Sequence, residues 1–338
     1  MKKQQGRGFI RRVVSLLIGV AAVSLSGGVS LAQAEEAAWP TRQITFVVPW
    51  PAGGETDVYA RALAHEVSVQ LGQPVIVENK PGATGSIGIR HVVRGKADGY
   101  TFLFANTTAL VGNVVSSPEP VNFDPVKDVT PVGLTVETVY VLWAHPSLGV
   151  RNFDELLARA RDASKPQLAF GITGNGAVSE LSVEQLARHY KLDLIKVPYK
   201  GSAPQVADLI AGHTQIGTGN LGVALGAYRE GRLVPLLAIG KERLPELPDV
   251  PSSRELGFTE PDFTLWDGLF APANTPPDIV AKLSRVVGEA VKRQSFKTIA
   301  DGNGHRAIFQ SGAEAANRLK NDLAARYRFK AQLEAGNK

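Results

Sequence analysis

Two glycine-bearing stretches have the residue types of an anion site. Trp50-Pro51-Ala52-Gly53-Gly54-Glu55-Thr56-Asp57 and Gly171-Ile172-Thr173-Gly174-Asn175-Gly176 each follow an apolar run and precede a helical pattern. Glycine lets a backbone approach a carboxylate closely. The first turn of a helix adds unpaired N–H groups and the positive end of its dipole. Thr56 and Asn175 can contribute side-chain donors. Taken singly, each loop favours a plain strand-to-helix turn; the matched pair shifts the balance toward a shared anion site. Asn106, Thr107 and Thr108 close another apolar run and Asn220 closes a fourth, placing amides and hydroxyls on the same kind of edge or capping turns there. Trp50 and Trp266 are candidate cleft walls or core residues.

Catalytic chemistry finds little support. None of the six histidines (His65, His91, His145, His189, His213, His305) stands in a metal-binding spacing such as H-E-x-x-H. Thr84-Gly85-Ser86-Ile87-Gly88 lacks the first glycine of a nucleophile elbow. Gly174-Asn175-Gly176 opens like a dinucleotide fingerprint but has Ser179 in place of the third glycine, and no Walker lysine follows either loop. The chain has no cysteine, which excludes disulfides, thiolate metal sites, a thiol nucleophile and a lipidated cysteine. No enzyme, cofactor or metal is expected. A hydrolase acting through Ser179 or Asp57 would need a histidine nitrogen within reach of a pocket serine.

The elements that must position these loops follow an α/β grammar. Strands are predicted over 44–48, 75–77 and 100–105, with helices carrying Tyr59, Leu63 and Val67, then Ile89 and Val93. This βαβαβ order implies a parallel sheet, whose ligands bind at the carboxyl ends of the strands. The pattern restarts with strands over 168–170, 194–197, 215–218 and 234–239. The helices between them carry Leu181 and Leu186, then span 204–211 and 225–229. Helices over 277–292 and 314–333 close the chain. The extended apolar stretches 132–144 and 261–271 could both cross between two lobes, making the first lobe discontinuous; two sequential domains are the alternative.

Residues 1–34 have the form of an export signal. Lys2, Lys3, Arg7, Arg11 and Arg12 precede an apolar core over 13–23, and Ala32-Gln33-Ala34 suits cleavage after Ala34. Of 37 Lys and Arg, these five lie in that segment, which has no acid; 32 then face 32 Asp and Glu. The formal net charge of +5 therefore belongs to the leader, and nothing basic remains to bind nucleic acid or an anionic membrane. With 44 % hydrophobic residues, the remaining chain can build two cores of ordinary size.

Several runs resemble the receptors of tripartite tricarboxylate transporters, the Bug family. They are Trp39-Pro40-Thr41-Arg42-Gln43-Ile44-Thr45-Phe46-Val47-Val48-Pro49 with Ala52 to Arg61, Glu78-Asn79-Lys80-Pro81-Gly82-Ala83-Thr84-Gly85, and Asp98-Gly99-Tyr100-Thr101. Val197-Pro198-Tyr199-Lys200-Gly201-Ser202-Ala203-Pro204 with Asp208-Leu209-Ile210-Ala211-Gly212, and Leu247-Pro248-Asp249-Val250-Pro251, are similar too. The resemblance implies a type II periplasmic-binding fold, a venus flytrap of two α/β lobes joined by two crossing strands. Lobe 1 would comprise 39–138 and 263–338, and lobe 2 would comprise 139–262. It further implies a monomeric periplasmic receptor that delivers a small organic carboxylate to membrane permease subunits. Docking on a membrane signalling protein is the alternative role.

In that family the carboxylate is typically held by backbone amides of the two glycine loops. By position, the contacts would come from Trp50, Ala52, Gly53, Gly54, Glu55, Thr56 and Asp57, and from Thr173, Gly174, Asn175, Gly176 and Ser179. The chain departs from the family pattern at Glu55, at Glu180, where many members have histidine, and over Thr214-Gln215-Ile216-Gly217-Thr218-Gly219-Asn220. Extra acids near a pocket would disfavour a polyanion and suit a monocarboxylate or a zwitterion.

Overall fold

The computed structural model describes residues 39–117, 119–172, 178–199, 202–258 and 263–335. The first stretch of elements is β1 (Ile44–Val48), α1 (Glu55–Leu71), β2 (Val75–Asn79), α2 (Ser86–Val93), β3 (Thr101–Asn106), α3 (Asn113–Ser116) and β4 (Val129–Thr138). The middle of the chain holds β5 (Tyr140–Ala144), α4 (Phe153–Arg161), β6 (Leu168–Ile172), α5 (Val178–Tyr190), β7 (Leu194–Pro198), α6 (Ser202–Ile210), β8 (Ile216–Asn220), α7 (Leu221–Arg229) and β9 (Val234–Ile239). It ends with β10 (Leu265–Pro272), α8 (Pro277–Ala290), α9 (Gln294–Gly302), β11 (Arg306–Ser311) and α10 (Gly312–Ala335).

The strands form two mixed sheets, one of six in the order β11-β4-β10-β3-β1-β2 and one of five in the order β7-β6-β8-β5-β9. In each, the βαβ units give parallel pairs: β1 with β2 and β3, and β6 with β7 and β8. Strands β10 and β5 enter antiparallel, next to β3 and β8 respectively. The chain passes between sheets within one extended segment. Strand β4 belongs to the first sheet as far as Thr138, Val139 is buried at the crossing, and β5 begins at Tyr140 in the second. It returns between β9 and β10.

Burial explains the sequence pattern. Ile44, Phe46, Val47 and Val48 of β1 and Phe102 to Ala105 of β3 are buried, so both strands read as continuous apolar runs. The edge strand β2 alternates half-buried and exposed residues. One core packs Leu103, Leu134, Trp266 and Phe270 against Leu319 and Leu323 of α10. Another packs Leu142, Phe170, Ile216 and Leu237 against Phe153, Leu156 and Leu186.

Elements α4, α9 and β11 were not predicted. The two helices are nine residues each with short apolar stripes, which periodicity hardly separates from loop. Strand β11 is half-buried throughout and so lacks an alternating pattern.

Candidate functional site

The carboxyl end of β1 leads through residues 49–54 into α1. Gly53 sits at φ +82°, a left-handed backbone that glycine adopts without strain. The first helical hydrogen bond runs from Val58 N–H to the Gly54 carbonyl, so the amides of Glu55, Thr56 and Asp57 precede the helical ladder. Gly54 at the N-cap makes no side-chain cap. Asp57 fixes the loop instead. Its Oδ2 accepts from Gly53 N (2.9 Å) and Arg61 Nε (2.9 Å), and its Oδ1 accepts from Asn79 Nδ2 (2.9 Å). The Asn79 amide also donates to the Trp50 carbonyl at 3.0 Å. Burial alone would raise the Asp57 pKa, but hydrogen bonds from Arg61, Gly53 and Asn79 outweigh it and hold the carboxyl below its ordinary range.

At the end of β3, Asn106 Nδ2 donates to Thr56 Oγ1 (3.0 Å) and its Oδ1 caps Ala109 N (3.1 Å). Across from it in register stands Asp267 of β10. Asp267 is buried, and its Oδ1 has no hydrogen-bond partner among the described residues. Burial pushes its carboxyl up to about 7; the Thr56 hydrogen bond opposes this, Glu55 adds to it, and His305 opposes it.

Next to this pair lies a histidine from the turn before β11. His305 Nδ1 contacts Tyr59 Oη at 2.7 Å and Thr138 Oγ1 at 2.9 Å, and Nε2 lies 3.0 Å from Asn220 Nδ2. Asn220, at the carboxyl end of β8, uses its Oδ1 to cap Val223 N (3.1 Å), so its Nδ2 is a donor. That amide donates to Glu55 Oε1 (3.1 Å) with one hydrogen and to His305 Nε2 with the other. The network thus gives Nε2 of His305 the acceptor role toward Asn220 and leaves Nδ1 to the Tyr59 and Thr138 hydroxyls. Burial, with Glu55 and Asp267 nearby, raises the Tyr59 hydroxyl well above its ordinary value.

The carboxyl edges of the two sheets therefore meet. The first turn of α7 rests directly on the turn before His305: a Cβ on Gly222 would collide with the Asn303 carbonyl, and one on Gly304 with the Gly222 backbone. Two α/β sheets facing each other by their strand carboxyl ends, across a segment that crosses once at Val139, is the architecture of a hinge-closing receptor.

Residues 59–332 match the family described as tripartite tricarboxylate transporter family receptor. The chain belongs to that family. It is a solute receptor of the periplasmic type. The BugT protein of Bordetella pertussis is 33% identical over 257 residues, 76% of this chain and 78% of the relative. MatC from Rhodopseudomonas palustris, solved with bound malate, is 30% identical with a TM-score of 0.67, covering 86% of this chain and 99% of that one. A second R. palustris protein, solved with adipate, is 29% identical with a TM-score of 0.70, covering 86% and 97%.

In this receptor the residues singled out from sequence fall into three groups. Ala52, Gly53, Gly54 and Glu55 are exposed at the loop, Thr108 is exposed after β3, and Trp50 and Asn106 are half-buried. Asn220 joins Glu55, as the shared edge requires. Four others have side chains held by the protein itself. Both Asp57 oxygens serve the loop. The Thr56 hydroxyl lies between Asn106 and Asp267. Thr107 Oγ1 accepts from Trp266 N (2.8 Å) and donates to Trp266 O (3.2 Å), fastening β10 to β3. Trp266 is 1 % exposed, packs on Phe270 and donates from Nε1 to Asp322 Oδ2 (2.8 Å), so it is a core residue and no cleft wall.

On the second sheet, Ser179 is buried in the first turn of α5. Glu180 pairs with Lys196 Nζ at 3.2 Å. Glu180 also lines a cavity of about 270 Å³ with Leu181, Arg326 and Phe329, rather than pointing into solvent. Thr173, Gly174, Asn175 and Gly176 lie outside the described residues. Sequence reading missed Tyr59, Thr138, Asp267 and His305. Two of these had a signal: Asp267 interrupts the apolar run of β10, and His305 follows a Gly302-Asn303-Gly304 turn.

Proposed function

We propose that this chain is exported through residues 1–34, cleaved after Ala34, and binds a small organic carboxylate between two lobes, 39–138 with 263–338 and 139–262. It then delivers this solute, chemically unchanged, to the permease subunits of a tripartite tricarboxylate-type transporter. One observation carries the reading: Asn220 at the carboxyl end of β8 reaches Glu55 at the carboxyl end of β1. The glycine loop 50–54 thus opens toward the facing sheet, where helix amides favour an anion. The exposed amide of Ala52 and the first-turn amides of Glu55 and Thr56 supply donors, with the Thr108 hydroxyl alongside. Thr173, Gly174, Asn175, Gly176 and Ser179 complete the site from the other lobe. The two R. palustris relatives with malate and adipate support a carboxylate as the class.

A thermal-shift screen of mono-, di- and tricarboxylates tests this. A ligand of the right class raises the melting temperature in proportion to its saturation, and mass spectrometry recovers it unaltered. Absence of stabilisation by every carboxylate, together with no effect of Gly53→Val, would sink the proposal.

A further inference from the structure

We propose that the cleft selects a zwitterion, with its carboxylate on the first-loop amides and its ammonium group between the carboxylates of Glu55 and Asp267. This rests on the carboxylate reading above and narrows it. The starting point is a contrast among the acids of this fold. Asp57 has Arg61, Glu180 has Lys196, and Glu137 has both Arg306 and Arg318 as ion-pair partners. Among the described residues, no lysine or arginine pairs with Glu55 or Asp267. His305 is the one basic group at this place among the described residues, at 3.3 Å from Glu55 Oε1. Its Nε2 already accepts from Asn220, and its Nδ1 faces the Tyr59 and Thr138 hydroxyls.

Asp267 is only 6 % exposed, and its Oδ1 meets no donor. A buried carboxylate oxygen without a donor is costly, so a site of this kind asks for an N–H or O–H from outside the protein. Glu55 offers the entry: its side chain is 55 % exposed and lies close enough to Asp267 to raise that carboxyl. The anion donors are the amides of the same turn, at Glu55 and Thr56. The carboxylate donors and Glu55 therefore occupy one helical turn, with Asp267 of β10 close enough to interact with both Thr56 and Glu55, which matches the adjacent opposite charges of an α-amino acid. A second carboxylate on a ligand would instead face Glu55 and Asp267 and be repelled.

The test measures binding by calorimetry to the mature full chain, for proteinogenic amino acids, each beside the deaminated acid of the same carbon skeleton, with malate and adipate included. The best amino acid is expected to bind about tenfold or more tightly than its deaminated partner, the size of one hydrogen bond to a charged group. Glu55→Gln, at a half-exposed side chain that packing does not constrain, and Asp267→Asn are each expected to collapse that ratio toward one. Equal binding of the pair, tighter binding of malate or adipate, or a ratio untouched in both variants overturns the zwitterion and leaves the carboxylate reading standing. Binding of neither kind of acid overturns both.

Discussion

Asn220 Nδ2 lies 3.0 Å from His305 Nε2, joining the end of β8 in one sheet to the turn that precedes β11 in the other. The same nitrogen reaches Glu55, while Asn220 Oδ1 caps α7. One amide thus orders three things together: the start of a helix, the orientation of a buried imidazole and the approach of the two sheets. The neighbouring contact of Gly222 with the 303–304 turn adds shape to this polar link.

Removing that amide should loosen the contact between sheets as well as the helix. Asn220→Ala deletes an N-cap, which alone costs about 1 kcal/mol, and leaves the Glu55 and His305 acceptors without their shared donor. Chemical denaturation should show a loss of about 2 kcal/mol or more. Asn220→Ser, which keeps a capping oxygen, should recover part of the stability but not the link to His305. Equal stability of Ala and Ser variants would mean that the cap contributes nothing.

Asp57 should prove structural. Its carboxylate collects Gly53, Arg61 and Asn79 at 2.9 Å each, so Asp57→Ala strips three donors at once and frees the loop. The expected cost is about 2–3 kcal/mol, typical of buried donors left unpaired around a lost charge. Because its folded pKa is depressed, the stability from Asp57 is present above the ordinary carboxylate range and is lost as pH falls through the lowered value. The variant should therefore differ from the parent at pH 7 and converge with it in strong acid, as followed by urea titration at each pH.

Asp267 should act in the opposite sense. Its folded pKa is raised from 3.8 to about 7, so between those values the folded state holds a proton that the unfolded chain has released. Its contribution then falls as pH rises across that window, by about 1.4 kcal/mol per pH unit at most. Above about pH 7 both states are ionised and the penalty is constant. Asp267→Asn should remove this slope and leave the variant more stable than the parent at pH 8. A parent and variant with parallel pH profiles between 4 and 7 would contradict the buried, donor-poor environment of Asp267 Oδ1.

Much of the fold was legible because it rests on local rules. Continuous apolar runs such as Ile44–Val48 mark strands buried on both faces, and the acids Glu55 and Asp57 mark a helix start. The glycine loop that joins them, 49–54, followed from the same reasoning. What stayed hidden is non-local. Thr107 and Thr56 are donors by type, but Trp266 lies 159 positions from the first, Asp267 is similarly remote from the second, and only the tertiary fold brings each pair together. His305 is separated from Tyr59 by 246 residues and from Asn220 by 85, and no spacing rule links them. Even the crossing stretch read correctly as extended, while its division at Val139 depends on which sheet each half joins.

The contact between Gly222 and the 303–304 turn offers a last and separable prediction. A methyl at Gly222 would meet the Asn303 carbonyl, a backbone atom that no side-chain rotation can remove. In Gly222→Ala the helix itself gains from the better helix former, so any destabilisation reports on the contact alone. Forcing the backbone apart should cost about 1–3 kcal/mol and hold the second sheet away from the first. Small-angle scattering should then give a larger radius of gyration for the variant than for the parent, and carboxylate affinity should fall because closure brings the same surfaces together. Gly226→Ala, one turn on with open space around it, is the control and should leave both unchanged. Identical scattering and affinity in Gly222→Ala and the parent would show that the sheets approach without this contact.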